Sequence, residues 1–287
     1  MQDPRSPSLR LRRLATELRN ARQAAGYTAA RAAKELGWSS PKITKMETKT
    51  SKRINTDDLD ALMDLYGITS PEKRSSMQAL AKDARMRGWW SKYKDVFKNE
   101  TLPDFETEAS VLRSYDVQAI PGLLQVPEYT ADIFRGARYT DPKEIERHVE
   151  ARMARREILV RLNPVHLRAV IDEAAFLRPV GGRSGMLAQM KHLMYMAQLP
   201  NIDIQVLPLD KGTHAGFTAS FMILDFPSPL DTPIVCIETL SDALYLEEND
   251  DVEMYIATFG DIQGSAVSAL ESANIIHNHI RRLENHR

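Results

Sequence analysis

The stretch GYTAARAAKELGWSSPKITKME, residues 26–47, decides the fold of the N-terminal part of the chain. Its first half predicts a short helix, because Thr28 can cap a helix start and Gly37 can end a helix at low steric cost. Its second half predicts another helix, with Ser39 as a cap and Pro41 in the first turn. Two short helices joined by a glycine-containing turn are typical of a helix-turn-helix, whose second helix enters the major groove of DNA.

The second helix separates apolar from polar residues. Ile43 and Met46 lie three apart, which predicts the buried side. The opposite side is polar and cationic, as suits a surface that faces base edges and phosphates. The residues predicted to bind DNA are Thr28, Ser40, Lys42, Thr44 and Lys45, together with Lys49, Lys52 and Arg53 of the basic loop that follows.

Further helices flank this pair on both sides. Apolar residues recur at helical spacing up to Gly26, which ends the first helix. Thr56 is predicted to cap a fourth helix. Residues 9–68 are therefore predicted to form an all-α helix-turn-helix domain, preceded by a disordered tail of residues 1–8.

The N-terminal pattern resembles the XRE family of helix-turn-helix domains, which have a lambda-repressor-like fold. The residues that carry the resemblance are Leu18, Arg19, Gly26, Thr28, Ala33, Leu36, Gly37, Ser39, Ile43 and Glu47. In that family an arginine near the end of helix 1 commonly pairs with a glutamate that closes the recognition helix. The resemblance thus implies a structural ion pair between Arg22 and Glu47. The chain departs from the family at Ala29, where glutamine is usual, and at Lys49, where glycine is usual.

Charge is distributed unevenly, although the net charge is only −1. Residues 1–100 contain 21 Lys and Arg against 12 Asp and Glu, whereas residues 101–287 contain 17 against 27. A basic end on an acidic body fits a protein that presents one end to a polyanion such as DNA. A merely solvated basic face is the alternative, but the helix-turn-helix pattern within the basic part favours DNA.

The composition argues against several classes of protein. The sequence contains no run of about 18 apolar residues, so it predicts no membrane span. Its N-terminus lacks the apolar segment of a secretory signal. Cys236 is the only cysteine, which excludes an internal disulfide and a cysteine-based metal cluster. We therefore expect a cytoplasmic protein.

Residues 102–287 alternate helical and extended patterns, which predicts an α+β domain. Residues 69–101 are predicted as a helical linker. Its Trp89-Trp90 pair is interpreted as an apolar hinge, with a stacking platform for bases as the alternative. Residues 108–117 are predicted as a helix. Strands are predicted at residues 165–172, 202–207, 220–226, 234–239 and 243–246.

Six segments, taken in order, resemble the C-terminal part of actinobacterial WhiJ-like regulators. They are Trp89-Trp90, IPGLLQ (120–125), RMARR (152–156), DEA (172–174), QVLP (205–208) and HAGF (214–217). Those regulators carry an XRE-type headpiece and are often encoded beside a small acidic partner, in an antitoxin-like arrangement. The resemblance implies a transcriptional regulator whose C-terminal domain binds a small protein encoded nearby.

The sequence contains no convergent set of catalytic residues. Asp172 and Glu173 are adjacent carboxylates, but neighbours on a strand point to opposite faces, so an end-of-strand or capping role is favoured. The glycine-rich residues 181–185 lack the P-loop lysine and serine. His214 has no ligand partner at metal-binding spacing, so a loop hydrogen bond is favoured for it. We therefore expect no catalytic site, no metal and no cofactor.

These patterns together predict a sequence-specific transcriptional regulator that binds double-stranded DNA. A homodimer is expected, because repressor headpieces usually read two half-sites about one DNA turn apart. Two alternatives stay open for the C-terminal domain. It could sense a small molecule, or it could be an enzyme with a DNA-binding appendage.

Overall fold

The computed structural model describes residues 9–48, 54–83, 88–97, 101–227, 231–239 and 242–285. The chain divides into two compact units, Met1–Phe105 and Glu106–Arg287. The sequence predicts the start of the second domain at residue 102. The predicted tail, residues 1–8, lies outside the described residues.

The N-terminal unit contains helices and no strands among its described residues. Gly26, Gly37 and Gly67 each follow a helix with a positive φ, which glycine adopts without steric cost. The helices are α1 (Leu9–Ala24), α2 (Ala29–Leu36), α3 (Ser40–Glu47), α4 (Thr56–Leu65) and α5 (Pro71–Asp83), followed by a 3-10 turn at Trp89–Tyr93.

One apolar core holds these five helices together. Leu14 of α1 and Ile43 of α3 are fully buried in it. α5 begins the segment 69–101 that the sequence predicts as a linker, and it contributes Met77 and Ala81 to the same core.

Trp89 and Trp90 lie in the 3-10 turn. Trp89 packs edge-on against Trp90, Tyr93 and Phe97, with ring centroids 6.1, 6.1 and 5.9 Å away. These contacts form an aromatic cluster. The roles of Trp89 and Trp90 as an apolar hinge or as a stacking platform for bases remain predictions.

The C-terminal unit is built on a six-stranded mixed sheet. Its strands are β1 (Val111–Asp116), β2 (His166–Asp172), β3 (Ile202–Leu207), β4 (Phe221–Asp225), β5 (Ile234–Glu238) and β6 (Ala243–Leu246). The strand order is β3-β2-β1-β4-β5-β6, in which β1, β2 and β3 are parallel and the other neighbours antiparallel. The five predicted strands are confirmed to within one residue at each end, and so is the α+β class of the domain.

The helix predicted for residues 108–117 is wrong. α6 (Thr101–Glu108) ends where that helix was expected to begin, and β1 follows. β1 lies inside the sheet and pairs with β2 on one side and with β4 on the other. These two ladders decide the conformation, because strand preference depends on neighbouring strands more than on local sequence.

Helices pack against the sheet. α11 (Asn249–Ser265) covers one face, where its Phe259 and Ile262 meet Tyr115 of β1 and Ile223 of β4. Among the described residues no helix is long and apolar enough to cross a membrane. The remaining helices are α7 (Pro127–Gly136), α8 (Pro142–Arg155), α9 (Ala174–Leu177), α10 (Gly182–Met196), α11 (Asn249–Ser265) and α12 (Ala269–Asn285).

Candidate DNA interface

α2 and α3 form the helix-turn-helix, and local hydrogen bonds shape its turn. Thr28 Oγ1 accepts a hydrogen bond from the Arg31 amide at 3.1 Å. Gly37 adopts φ 64° and ψ 28°. The Trp38 amide donates to the Ala33 carbonyl at 2.8 Å. This arrangement satisfies the last carbonyls of α2 and turns the chain into α3.

One side of α3 is anchored in the core. Ile43 and Met46 are buried and pack with Ala32 and Ala33 of α2 in the same cluster. Ser39 occupies the N-cap position of α3, but its side chain forms no capping hydrogen bond, so the predicted side-chain cap is wrong. Burial of the apolar side, rather than a cap, sets the orientation of α3.

The other side of α3 is polar. Thr44 and Lys45 are exposed, and Ser40 is half-buried. Thr44 Oγ1 donates to the Ser40 carbonyl at 3.2 Å, and Thr48 Oγ1 donates to the Thr44 carbonyl at 2.6 Å. A hydroxyl that donates to its own helix keeps its lone pairs as acceptors. These threonines can therefore accept hydrogen bonds from the amino groups of bases.

Lys42 is engaged within the domain. Its Nζ lies 2.7 Å from Asp58 Oδ1 of α4 and 3.7 Å from the centre of the Trp38 ring. Both the carboxylate and the aromatic face stabilise the ammonium. A contact between Lys42 and DNA would have to replace these two interactions.

A buried ion pair connects α3 to α1. Arg22 Nε lies 2.7 and 3.0 Å from the two carboxylate oxygens of Glu47. Arg22 Nη1 donates to the Tyr27 carbonyl at 2.7 Å, and the Tyr66 hydroxyl donates to Glu47 Oε1 at 3.0 Å. The Glu47 side chain is only 3% exposed. Arg22 and Glu47 thus form the pair that the family resemblance implies.

This buried network holds the end of α3 in one position. Desolvation offsets much of the attraction in a buried ion pair, so the pair contributes more to geometry than to net stability. Burial and the Glu47 carboxylate raise the pKa of Tyr66. The Tyr66 hydroxyl therefore stays protonated and serves as a hydrogen-bond donor.

Of four further predicted residues, three lie outside the described part of the chain and one has a different position in its helix. Lys49, Lys52 and Arg53, the predicted phosphate contacts, lie outside the described residues. Thr56, predicted to cap α4, is instead the first residue of that helix. Asn55 occupies the N-cap position, with an extended backbone of φ −72° and ψ 146°.

Trp38, Asp58 and Tyr66 were not predicted as partners of these polar groups. A signal for Tyr66 was present, because a buried tyrosine hydroxyl usually needs a hydrogen-bond partner. No local pattern identifies Asp58, because it belongs to the next helix and lies 16 residues after Lys42.

The candidate residues of the C-terminal unit form two separate pairs at the end of β2. Asp172 Oδ1 accepts a hydrogen bond from the Ala174 amide at 2.8 Å, as the predicted capping role requires. Its other oxygen lies 3.7 Å from His214 Nε2, while Glu173 Oε1 lies 2.9 Å from His279 Nε2. Within the described ranges no group of three or more His, Cys, Asp and Glu residues could hold a metal ion.

Comparisons with known proteins agree with this two-part architecture. Residues 13–77 match the model of a helix-turn-helix domain, and residues 99–278 match a domain of unknown function, DUF5753. No curated protein and no solved structure matches the chain. The helix-turn-helix domain indicates a DNA-binding regulator. Because the second match covers more than half of the chain, the protein belongs to the DUF5753 family and joins that domain to an N-terminal helix-turn-helix.

Proposed function

We propose that the protein is a sequence-specific regulator of transcription that binds double-stranded DNA through α3. The polar side of α3, held in place by Ile43, Met46 and the Arg22–Glu47 pair, supports this proposal. A helix presented in this way fits the major groove. The residues proposed to reach base edges or nearby phosphates are Ser40, Lys42, Thr44 and Lys45, and those proposed to hold the backbone are Thr28, Lys49, Lys52 and Arg53.

A homodimer is part of this proposal. One recognition helix spans only a few base pairs, and repressor headpieces gain specificity by placing two such helices about one DNA turn apart. The operator is therefore expected to contain two inverted half-sites.

The proposed role of the C-terminal domain is to bind a small partner protein that modulates DNA binding, as in the antitoxin-like, WhiJ-like regulators of actinobacteria. The ordered segments shared with those regulators support this role. We propose no catalytic activity, because the carboxylates of Asp172 and Glu173 pair with different histidines and form no shared acid–base site. Co-purification of a small acidic protein from the native host tests the partner.

The first experiment is a fluorescence anisotropy titration of the full-length protein with DNA from upstream of its own gene. Scrambled DNA of equal length is the control, and both are titrated at low and near-physiological salt. We expect the upstream fragment to bind about a thousandfold more tightly and its affinity to fall steeply with salt. Equal, weak binding to both DNAs would contradict the proposal.

Lys45→Ala and Lys42→Ala are expected to differ in their effects on DNA binding. Lys45 lies on the exposed side of α3, so its loss removes about 1–3 kcal/mol of discrimination at one base pair. Lys42 already contacts Asp58 and Trp38, so its loss is expected to change base preference less. Titrations against single-base variants of the operator measure both effects. Equal losses on every DNA sequence for Lys45→Ala would contradict its role in base recognition.

A further inference from the structure

Lys42 and Lys45, the two cations of α3, have different surroundings. They are three positions apart, so their side chains leave the helix on the same side. Lys45 is exposed, whereas Lys42 is half-buried. Lys42 is the third residue of α3, and the N-terminal residues of a recognition helix are those that contact base edges. The contacts that hold Lys42 therefore affect the candidate DNA interface.

The carboxylate of Asp58, in the first turn of α4, is one of these contacts. Lys42 Nζ lies 2.7 Å from Asp58 Oδ1. The side chain of Lys42 is 37% exposed and that of Asp58 is 27% exposed. The ion pair thus lies at the surface of the domain, where both groups stay accessible to another molecule.

The aromatic ring of Trp38 is the second contact of Lys42. Lys42 Nζ lies 3.7 Å from the centre of this ring. Trp38 packs against the apolar core of the domain, and its amide donates to the Ala33 carbonyl at 2.8 Å. The ring is therefore fixed by the fold, and it holds the ammonium together with Asp58.

A DNA phosphate offers Lys42 little that it does not already have. A phosphate carries one negative charge, as the Asp58 carboxylate does, and both accept charge-assisted hydrogen bonds from an ammonium. A move of Lys42 to a phosphate would give up the Trp38 ring. It would also leave Asp58 as an unpaired negative charge close to the DNA backbone. Electrostatics thus favours the Lys42–Asp58 pair over a phosphate contact on DNA of arbitrary sequence.

Asp58 also has a local role in α4, which the contact with Lys42 does not require. Acidic residues in the first turn stabilise a helix, and both Asp57 and Asp58 lie in the first turn of α4. An ion pair as exposed as Lys42–Asp58 contributes little to folding stability. The main effect of the contact is therefore on Lys42, whose charge it neutralises.

We infer that Asp58 competes with DNA phosphates for Lys42 and thereby limits the sequence-independent part of DNA binding. On DNA of arbitrary sequence, Lys42 stays with Asp58 and releases no counterion from the DNA. Asp58 is thus a specificity-determining residue, because it weakens binding to incorrect sites. This inference rests on the proposed function, since it requires that α3 faces DNA.

The salt dependence of binding to scrambled DNA tests the inference. Full-length wild type and Asp58→Asn are titrated by fluorescence anisotropy between about 50 and 200 mM salt. Without Asp58, Lys42 is expected to neutralise one more phosphate, so the plot of log affinity against log salt becomes steeper by about 0.9. This slope corresponds to about fifteenfold tighter binding at 50 mM salt and about fourfold at 200 mM, if the affinities are equal at about 1 M. An unchanged slope in Asp58→Asn would overturn the inference.

Lys42→Gln shows whether Lys42 contributes to this slope in the wild type. Because Asp58 holds Lys42, the variant is expected to change the slope on scrambled DNA by less than about 0.3. The double variant Lys42→Gln/Asp58→Asn is expected to have the same slope as Lys42→Gln. A slope flatter by about 0.9 in Lys42→Gln would show that Lys42 already binds a phosphate, and would overturn the inference. A double variant as steep as Asp58→Asn would do the same.

Two further variants separate the contact from the charge of α4. Asp57→Asn removes the same charge from the same turn, but Asp57 is exposed and the ion pair with Lys42 is formed by Asp58. It is expected to change the slope by less than about 0.3. Asp58→Glu keeps a carboxylate beside Lys42 and is expected to keep the wild-type slope. Equal steepening in Asp57→Asn and Asp58→Asn would mean that the contact has no specific role.

The same titrations distinguish this inference from the proposed function. A wild type that binds upstream and scrambled DNA equally contradicts sequence-specific regulation, while the slopes of the variants can still be compared. A wild type that prefers the upstream DNA, together with an unchanged slope in Asp58→Asn, contradicts only the competition by Asp58. If neither the wild type nor any variant binds DNA, both proposals are overturned.

Discussion

Glu47→Ala is expected to destabilise the N-terminal unit by about 3–5 kcal/mol, because it leaves the largely buried Arg22 guanidinium, whose side chain is 13% exposed, without its carboxylate. The Tyr66 hydroxyl loses its acceptor at the same time. Since a domain is usually stable by only about 5–15 kcal/mol, this loss is a large fraction of its stability, and DNA binding is expected to weaken because the end of α3 loses its anchor. Tryptophan fluorescence during urea unfolding measures this effect, because all three tryptophans lie within Met1–Phe105.

Asp64→Ala is the matched control for this variant. Asp64 pairs with Arg74 at 2.6 Å, a distance similar to that of the buried pair, but its side chain is 71% exposed. The Asp64→Ala substitution is expected to lower the stability of the N-terminal unit by less than about 1 kcal/mol, because solvent screens an exposed ion pair. Equal losses of stability in Glu47→Ala and Asp64→Ala would show that burial does not determine how much Glu47 contributes to the stability of the unit.

Gly216→Val is expected to destabilise the C-terminal unit by about 3 kcal/mol. A Cβ at this position would lie 2.5 Å from both Ile262 Cδ1 and Tyr115 Cε1, and both side chains are fully buried. The loop cannot easily withdraw, because the His214 ring packs edge-on against Tyr115 with centroids 5.9 Å apart. Differential scanning calorimetry measures the loss as a fall in the melting temperature of this unit.

Gly260→Ala is expected to have the opposite effect on the stability of the same unit. Gly260 lies inside α11, and a Cβ there would have no atom within 4 Å outside its own helix. Replacing a helical glycine by alanine is expected to stabilise the unit by about 0.5–1 kcal/mol, because alanine loses less backbone entropy on folding. A neutral Gly216→Val variant beside a stabilised Gly260→Ala variant would contradict the close packing of the loop.

Local signals explain why the helix-turn-helix could be predicted. Thr28 and Gly37 act on backbone groups only a few residues away, and Ile43 and Met46 share a side of α3 through helix geometry alone. The strands could be predicted from the sequence equally well, because short apolar stretches between turns have a strand pattern that does not depend on the rest of the fold.

The candidate DNA interface was predicted less completely than its helices. The polar positions on α3 follow from helical spacing, so Thr44 and Lys45 could be assigned to the exposed side. The partners of Lys42 could not be assigned, because Asp58 comes from a different helix and meets Lys42 only after α3 and α4 pack.

The sequence by itself determined the helical N-terminal domain, the basic end of the chain and all strands except β1. Each of these depends on composition or on residues adjacent along the chain. Only the tertiary structure decided that Val111–Asp116 forms an inner strand and that Asp172 and Glu173 meet His214 and His279. These residues lie tens to more than a hundred positions apart, and their pairing depends on strand order and helix packing, which no local pattern encodes.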